Sequence, residues 1–467
     1  MGTIMNNKSR THRISKVDVT NDIITGRGGL ALFVRYLANI NILPLLDDVF
    51  GNLRKSAKGL SVTKLFLQIF CFLFDGTSRH ISHFDLLAQD NGYAATIETD
   101  MKDMASSHVI KRFFALFAWC HSGLFRTILN QLFRWRLALS LPRIVELAID
   151  TMVMDNNEAQ RRHGVEPTYK KKKGFQPLQM IWNSMIVDAV FRGGKKHSNH
   201  GNTVINMIQR MVPLIRSVCG DKVLIIIRMD SGFLDEKILS ILDELAVGFI
   251  VSGKMYPRVK EYVARQSAEH WGRYDHEKQS WHYLEFDWGC DAWDYTYRTF
   301  YTRPVYENGQ GLLAFARPDN LIITNLDEDS PMLATCTKAE RKHWLNPETI
   351  IESHHRRGAD ELPHRGLKDF GFEQLPFKRF AANSAFYYCM LIAFLLFESF
   401  KQDVLKEVIP VTSYATTVRR KFVDIAAKIV TTGHTVILKV SRAVMETLQF
   451  ATLWNHCHDP VPIHAAI

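Results

Sequence analysis

Two aspartates stand where a sheet would hold a carboxylate still. Asp150 ends the β-branched run 144–150 and Asp230 ends the apolar run 223–230, VLIIIRMD. Each acid is therefore expected at a strand end, its backbone buried and its side chain at the sheet edge. A third acid, Glu361, lies among cations in SHHRRGADELPHRGLKDF, residues 353–370. There His354, Arg357, Glu361 and Lys368 follow one another at intervals of three, four and seven, which on a continuous helix lines them along one face. Carboxylate oxygens without accompanying Cys or His favour Mg²⁺ or Mn²⁺, and two such ions roughly 4 Å apart clamp the attacking and leaving oxygens of a phosphodiester. Taken singly, each Asp is as well explained as a cap on its next loop, and 353–370 as an exposed helix with ordinary ion pairs. Together the three acids point to metal-assisted chemistry, with Arg356, Arg357 and Lys368 beside them to hold phosphates.

The elements that must position these groups follow from periodicity. Residues 1–26 carry Lys8, Arg10, Arg13 and Lys16 with few large apolar side chains, the composition of a flexible basic arm. Over 27–140 apolar residues recur at three and four, as in Leu30, Phe33, Val34 and Leu37, which predicts a helical region. Ser106 or Ser107 caps a segment at 109–117 whose Lys111 and Arg112 face out while its phenylalanines face in. Such a helix suits recognition of a DNA groove, and equally an ordinary packed helix with a solvated face. Over 141–255 the order is strand, hairpin (175–185 with 186–192), helix (204–218), strand, helix (234–245) and strand (247–252), the order of a ribonuclease H-like α/β core. Residues 256–318 alternate large aromatic and polar side chains, which predicts a small antiparallel sheet inserted into that core. Residues 319–402 return to the core with a strand at 321–325 and helices at 346–360 and 383–400, and 403–467 form a C-terminal helical region.

Composition narrows the function classes. Lys and Arg number 58 against 48 Asp and Glu, a net charge of +10 that favours an anionic partner. A hydrophobic content of 46% excludes disorder as the main state. The apolar runs 65–74 and 385–397 fall short of the roughly 18–20 residues of a membrane span, and the polar N-terminus lacks a secretory core, so a cytoplasmic protein is expected. Seven scattered cysteines without a C-x-x-C pair read as reduced thiols. The terminal run His456, Cys457 and His458 has no partner cluster with which to bind zinc.

The acidic strand ends and the 353–370 segment resemble the Tyr-x2-Arg-x3-Glu-x6-Lys signature of bacterial insertion-sequence transposases with an Asp-Asp-Glu triad. AIDTMVMD (148–155) resembles the family's first acidic strand, IRMDSGF (227–233) its second, IITNL (322–326) the strand before its last helix, and RRGADE (356–361) the segment bearing the third acid. Residues 380–398 and 418–443 resemble its C-terminal helix and closing region. The resemblance covers most of the chain. It implies Asp150, Asp230 and Glu361 as catalytic metal ligands for two Mg²⁺ or Mn²⁺ ions, one activating water and the other stabilising the departing 3′ oxygen. It implies double-stranded DNA partners, namely terminal inverted repeats and target DNA, and a homodimer in the synaptic complex, nucleoid-associated when bound. His354 stands where the signature has Tyr, and its ring can hydrogen-bond a phosphate. Pro363 should kink or end the helix after Glu361. Lys170, Lys171, Lys172 and Lys173 can track a phosphate backbone. Trp281, Trp288 and Trp293, with Trp271, are candidates to stack on a flipped base, though two or three of these are expected in the core. Asp155, Asp188, Asp235 and Glu352 are expected to be structural. The alternatives are a structure-selective nuclease, or a decayed or domesticated transposase that only binds DNA.

Overall fold

The computed structural model describes residues 14, 16–53, 59–196, 200–276, 279–291, 293, 295–305, 319–356, 358 and 361–466. Among the described residues, nine strands form one sheet: β1 (Ile144–Thr151), β2 (Leu178–Trp182), β3 (Met185–Val190), β4 (Leu224–Met229), β5 (Gly248–Ser252), β6 (Gly272–His276), β7 (Gln279–Trp288), β8 (Tyr297–Pro304) and β9 (Asn320–Thr324). Their spatial order is β6-β7-β8-β9-β5-β4-β1-β2-β3. The centre is parallel, β1 beside β4 and β4 beside β5, while β2 and β3 add an antiparallel hairpin on one side. Ile225, Ile226, Ile227, Phe249 and Val251 are buried, as the near-continuous apolar runs require of strands covered on both faces.

The aromatic strands extend this same sheet. After β5 the chain makes β6, β7 and β8, and β9 then returns antiparallel to β5 with Ile322 opposite Ser252. The sequence predicts a small antiparallel sheet inserted into the core; its strands instead continue the core sheet edge to edge. Period-two alternation predicts the strands correctly, but their edge-to-edge joining depends on the distant pairing of β5 with β9.

Eight helices matter for the site: α1 (Val62–Asp75), α2 (Ser107–Ala115), α3 (Ser122–Ser140), α4 (Thr203–Cys219), α5 (Glu236–Glu244), α6 (Pro347–His355), α7 (Leu362–Phe370) and α8 (Phe380–Phe400). Ser106 caps α2 by accepting from the Val109 N–H, and Lys111 and Arg112 point outward as expected. α8 is apolar all round, and Ala382 through Phe400 are buried. It continues helically to Leu405, long and apolar enough to cross a membrane, yet 89% of its most apolar window is buried inside the protein. It packs against α1, α3 and β3, so it joins the N-terminal helices to the sheet. Such an all-round apolar helix is the signature of a core position.

Two terminal expectations are corrected. Ile23–Thr25, placed in the basic arm, is a strand paired antiparallel with Ala427–Thr432, while residues 1–13 and 15 of the arm lie outside the described residues. The C-terminal region is not wholly helical: Ala427–Thr432 and Thr435–Val440 form a hairpin turned at Gly433, whose φ is +61°. Its β-branched residues favour a pleated surface, and glycine reaches the left-handed turn conformation without cost from a Cβ.

Candidate active site

The register of the parallel centre brings the two aspartates together. Ile149 of β1 lies opposite Met229 of β4. Asp150 and Asp230, each the next residue, therefore leave the carboxyl ends of adjacent parallel strands side by side. Asp150 turns one oxygen back to the Thr151 N–H at 2.6 Å. Asp230 caps the turn Ser231–Phe233 by accepting from the Gly232 N–H at 2.8 Å. Both carboxylates are thus oriented by the backbone that follows them.

The third acid reaches the site differently from the sequence expectation. Residues 353–370 do not form one helix. α6 ends at His355 with Arg356 as its C-cap, and Glu361 is the N-cap of the separate α7. Pro363 sits in the first turn of α7, where its missing N–H costs nothing and its fixed φ suits the start of a helix, so it opens a helix rather than ending one. Glu361 is consequently an exposed helix-entry residue, with one carboxylate oxygen 3.9 Å from the Arg365 guanidinium one turn along α7.

Tyr169 registers all three acids at once. Partial burial, and then the charges of Asp150, Asp230 and Glu361, push its phenol up to about 12. The residue stands on a tight turn in which Thr168 bonds to the Lys172 carbonyl at 2.8 Å and Lys171 adopts a φ of +58°. The turn joins Glu166–Pro167 and Lys173–Phe175, which with Met154–Asp155 make a three-stranded sheet. Lys170 lies over the Tyr169 ring, 5.6 Å from its centroid.

His364 is a site residue that the sequence reading missed. It is buried one turn into α7, with Nδ1 3.8 Å from an Asp150 oxygen. Burial, then Lys368 and Lys170, pull its imidazole down to about 4, so at neutral pH this contact joins a neutral ring to a carboxylate and is not an ion pair. Its Nε2 is buried without a hydrogen-bond partner. The available signal was its place three residues after Glu361, which a helix opened by Pro363 turns toward the same side.

Three carboxylates on strand ends and a helix entry are oxygen donors of the kind that hard divalent cations take. Among the described residues, no three Asp, Glu, His or Cys side chains close on one point at metal-holding distance. The donor chemistry fits Mg²⁺ or Mn²⁺.

Several other candidates are placed elsewhere. His354 is buried, 7% exposed, with Nε2 2.8 Å from the Ser252 hydroxyl at the end of β5, so it does not face a phosphate. Arg357 lies outside the described residues. Arg356 pairs with Glu352 at 3.1 Å, and Lys368 pairs with Glu373 at 2.6 Å. Lys172 pairs with Asp155 at 2.6 Å, and Lys173 bonds Gln160 at 2.7 Å, whereas Lys170 and Lys171 stay at the exposed tip. Trp281 is 3% exposed, its ring 4.4 Å from that of His355, which removes it from base stacking. Trp288 stacks on Tyr256 at 5.4 Å and meets Trp293 edge-on at 5.7 Å, so both rings are engaged by the core beside β7. Asp188 is fully buried against Arg126, and Asp235 caps α5. Cys457 is buried with its thiol on carbonyl oxygens of Leu32 and Leu453.

The chain is similar to a solved structure, a cryo-EM structure of the piggyBac transposase synaptic complex with hairpin DNA, at 12% sequence identity and a TM-score of 0.39, over 85% of this chain and 80% of that one. No curated protein matches the chain. Residues 8–458 match the family described as transposase DDE domain group 1, and with nearly the whole sequence inside that match the chain belongs to this family of DDE transposases.

Proposed function

We propose that the protein is the transposase of an insertion sequence, which binds the element's terminal inverted repeats, hydrolyses a phosphodiester at each end and joins the freed 3′-OH to target DNA. The observation that carries this reading is the register of the parallel centre, which sets Asp150 and Asp230 side by side at the carboxyl ends of adjacent strands, with the charge of Glu361 at the entry of α7 felt together with theirs at Tyr169. The order β3-β2-β1-β4-β5, with its parallel centre, supports reading this part of the sheet as a ribonuclease H-like core. Divalent cations held by the three carboxylates, two Mg²⁺ or Mn²⁺ ions, would supply Lewis acidity to the attacking and leaving oxygens.

The protein's own groups supply orientation. Asp150 and Asp230 are held by the Thr151 and Gly232 N–H groups, so their oxygens need little reorganisation as charge develops. Tyr169 keeps its proton at neutral pH and can donate to a phosphate oxygen beside the acids. Lys170 and Lys171 at the turn tip offset the charge of an approaching strand. Two ends must be joined, so two copies acting together on DNA, in the cytoplasm and on the nucleoid, complete the proposal.

The test is incubation of the purified protein with DNA bearing the element's flanking repeats and a target plasmid, with Mg²⁺ or with EDTA. Metal-dependent cuts at the repeat boundary together with strand-transfer products are expected. Cuts without joined products would favour a nuclease, and binding without cuts under any metal would refute the enzymatic reading.

A further inference from the structure

We propose that a basic cleft beside the acids holds the sugar–phosphate backbone of DNA leading to the cut, an inference that rests on the reading of the acids given above. The cleft has a volume of about 910 Å³. One wall is the turn after α1, with Arg79, and Lys111 of α2; the other combines residues 155–162 with 372–378, including Arg162 and Lys378. It continues past Arg161 into a shallower depression along the same segment.

Charge decides what this cleft accepts. Two of its acids are already compensated: Asp155 by Lys172 and Glu373 by Lys368, each at 2.6 Å. The Asp155 carboxyl is held below its usual range by Lys172, then by the Asn157 N–H and, more weakly, by the charge of Lys368. Among the described residues, no carboxylate comes within ion-pair distance of Arg79, Lys111, Arg162 or Lys378; Glu158 lines the cleft without a lysine of its own, and Asp85, held by Ser107, lies near enough to Lys111 to feel its charge. Arg162 is half-buried, donates to the Asn156 side-chain oxygen at 3.2 Å, and has its pKa lowered by burial. Like charges gathered in one cleft repel in the free protein, and a polyanion relieves that repulsion. Arg and Lys on facing walls suit phosphates, which fix position without reading sequence.

Placement decides which polyanion. Lys368 belongs to α7, whose entry is Glu361, and Lys172 belongs to the turn that carries Tyr169. The two compensating ion pairs therefore tie Asp155 and Glu373 of the cleft to the elements that carry Tyr169 and Glu361. A strand whose phosphate lies at the acids would run on between Arg79 and Lys378. Its backbone would also bridge the N-terminal helices to the sheet, elements far apart in sequence.

The experiment measures duplex affinity against salt for the full-length protein, its Arg79→Ala/Lys378→Ala variant, and the fourfold variant that adds Lys111→Ala and Arg162→Ala. Arg79 and Lys378 are exposed, so the double variant keeps the test valid should the fourfold variant not fold. The slope of log K against log salt should become shallower by about 0.9 for each phosphate that is no longer neutralised, equally on end-bearing and scrambled duplex. Weaker binding to the element's end would identify the flank of the cut as the occupant. Weaker binding only when protein preloaded with an end is offered a second duplex would identify target DNA. A folded double variant with wild-type slope and affinity in both arms would overturn the cleft while leaving wild-type cutting, and with it the function of the acids, intact. A wild-type protein that binds no duplex would overturn both.

Discussion

At the scale of the residue, Asp230 carries two separable duties. In the proposed function its carboxylate acts with those of Asp150 and Glu361, and the same side chain caps the turn at Gly232. Asp230→Asn keeps an oxygen for the cap and removes the charge, whereas Asp230→Ala removes both. We expect both variants to lose metal-dependent DNA cleavage by at least ~10²-fold. Only the Ala variant should also melt earlier, by about 1 kcal/mol of stability for the missing cap. Thermal melts and single-turnover cleavage measured side by side check this, and an Asn variant that cuts at the wild-type rate would remove Asp230 from the chemistry. Both aspartates were legible in the sequence because an apolar run that ends in an acid fixes where a strand stops. Tyr169 and His364 were not, because Tyr169 is set near the acids by the small sheet that carries its turn, and His364 gains its place from Asp150, more than two hundred residues earlier in the chain. His354 shows the converse: a polar residue at a signature position that the fold turns inward to Ser252.

At the scale of the element, the three-stranded sheet that carries the Tyr169 turn depends on Gly174. This residue pairs with both Asp155 and Glu166, and a Cβ placed on it would lie 1.9 Å from the Met154 carbonyl oxygen. Gly174→Ala must push two strands apart, and overpacking of this kind costs about 1–3 kcal/mol. The expected outcome is a lowered melting temperature together with reduced cleavage, since Tyr169, Lys170 and Lys172 all hang from this sheet. A variant with wild-type stability and cutting would show that the small sheet does not position the site. Helices and strands were largely legible, since periods of 3.6 and two separate them. The break between α6 and α7 was not. Intervals of three, four and seven satisfy a continuous helix, and a proline marks a helix start as readily as an end, so the pattern alone left the direction undecided.

At the scale of the whole molecule, buried charges bind the N-terminal helices to the sheet. Arg126 of α3 grips Asp188 of β3 with two bonds of 2.8 and 2.5 Å, and the Asp188 side chain is fully buried. Arg126→Ala leaves that carboxylate buried without its cation, so a loss of about 3–5 kcal/mol is expected in denaturant unfolding. Adding Asp188→Asn to it should recover part of the loss, and equal stability of the single and double variants would contradict this account of the pair. Arg419 makes a comparable join, donating to carbonyls of Leu73, Phe74, Asp369 and Phe370 at the ends of α1 and α7. The alternation of strands and helices made the α/β centre legible. The single nine-stranded sheet, the C-terminal hairpin and its pairing with Ile23–Thr25 were not, because each rests on pairing between segments far apart in sequence.

The central claim is that Glu361, entering on α7, completes one reacting centre with Asp150 and Asp230. The most direct test is Glu361→Gln in a cleavage assay on end-bearing DNA with Mg²⁺, with binding to the same DNA measured in parallel. Glu361 is exposed at a helix entry, so the change should leave the fold intact. The account predicts wild-type binding with cleavage reduced by at least ~10²-fold. Cleavage at the wild-type rate by a variant that binds normally would contradict it.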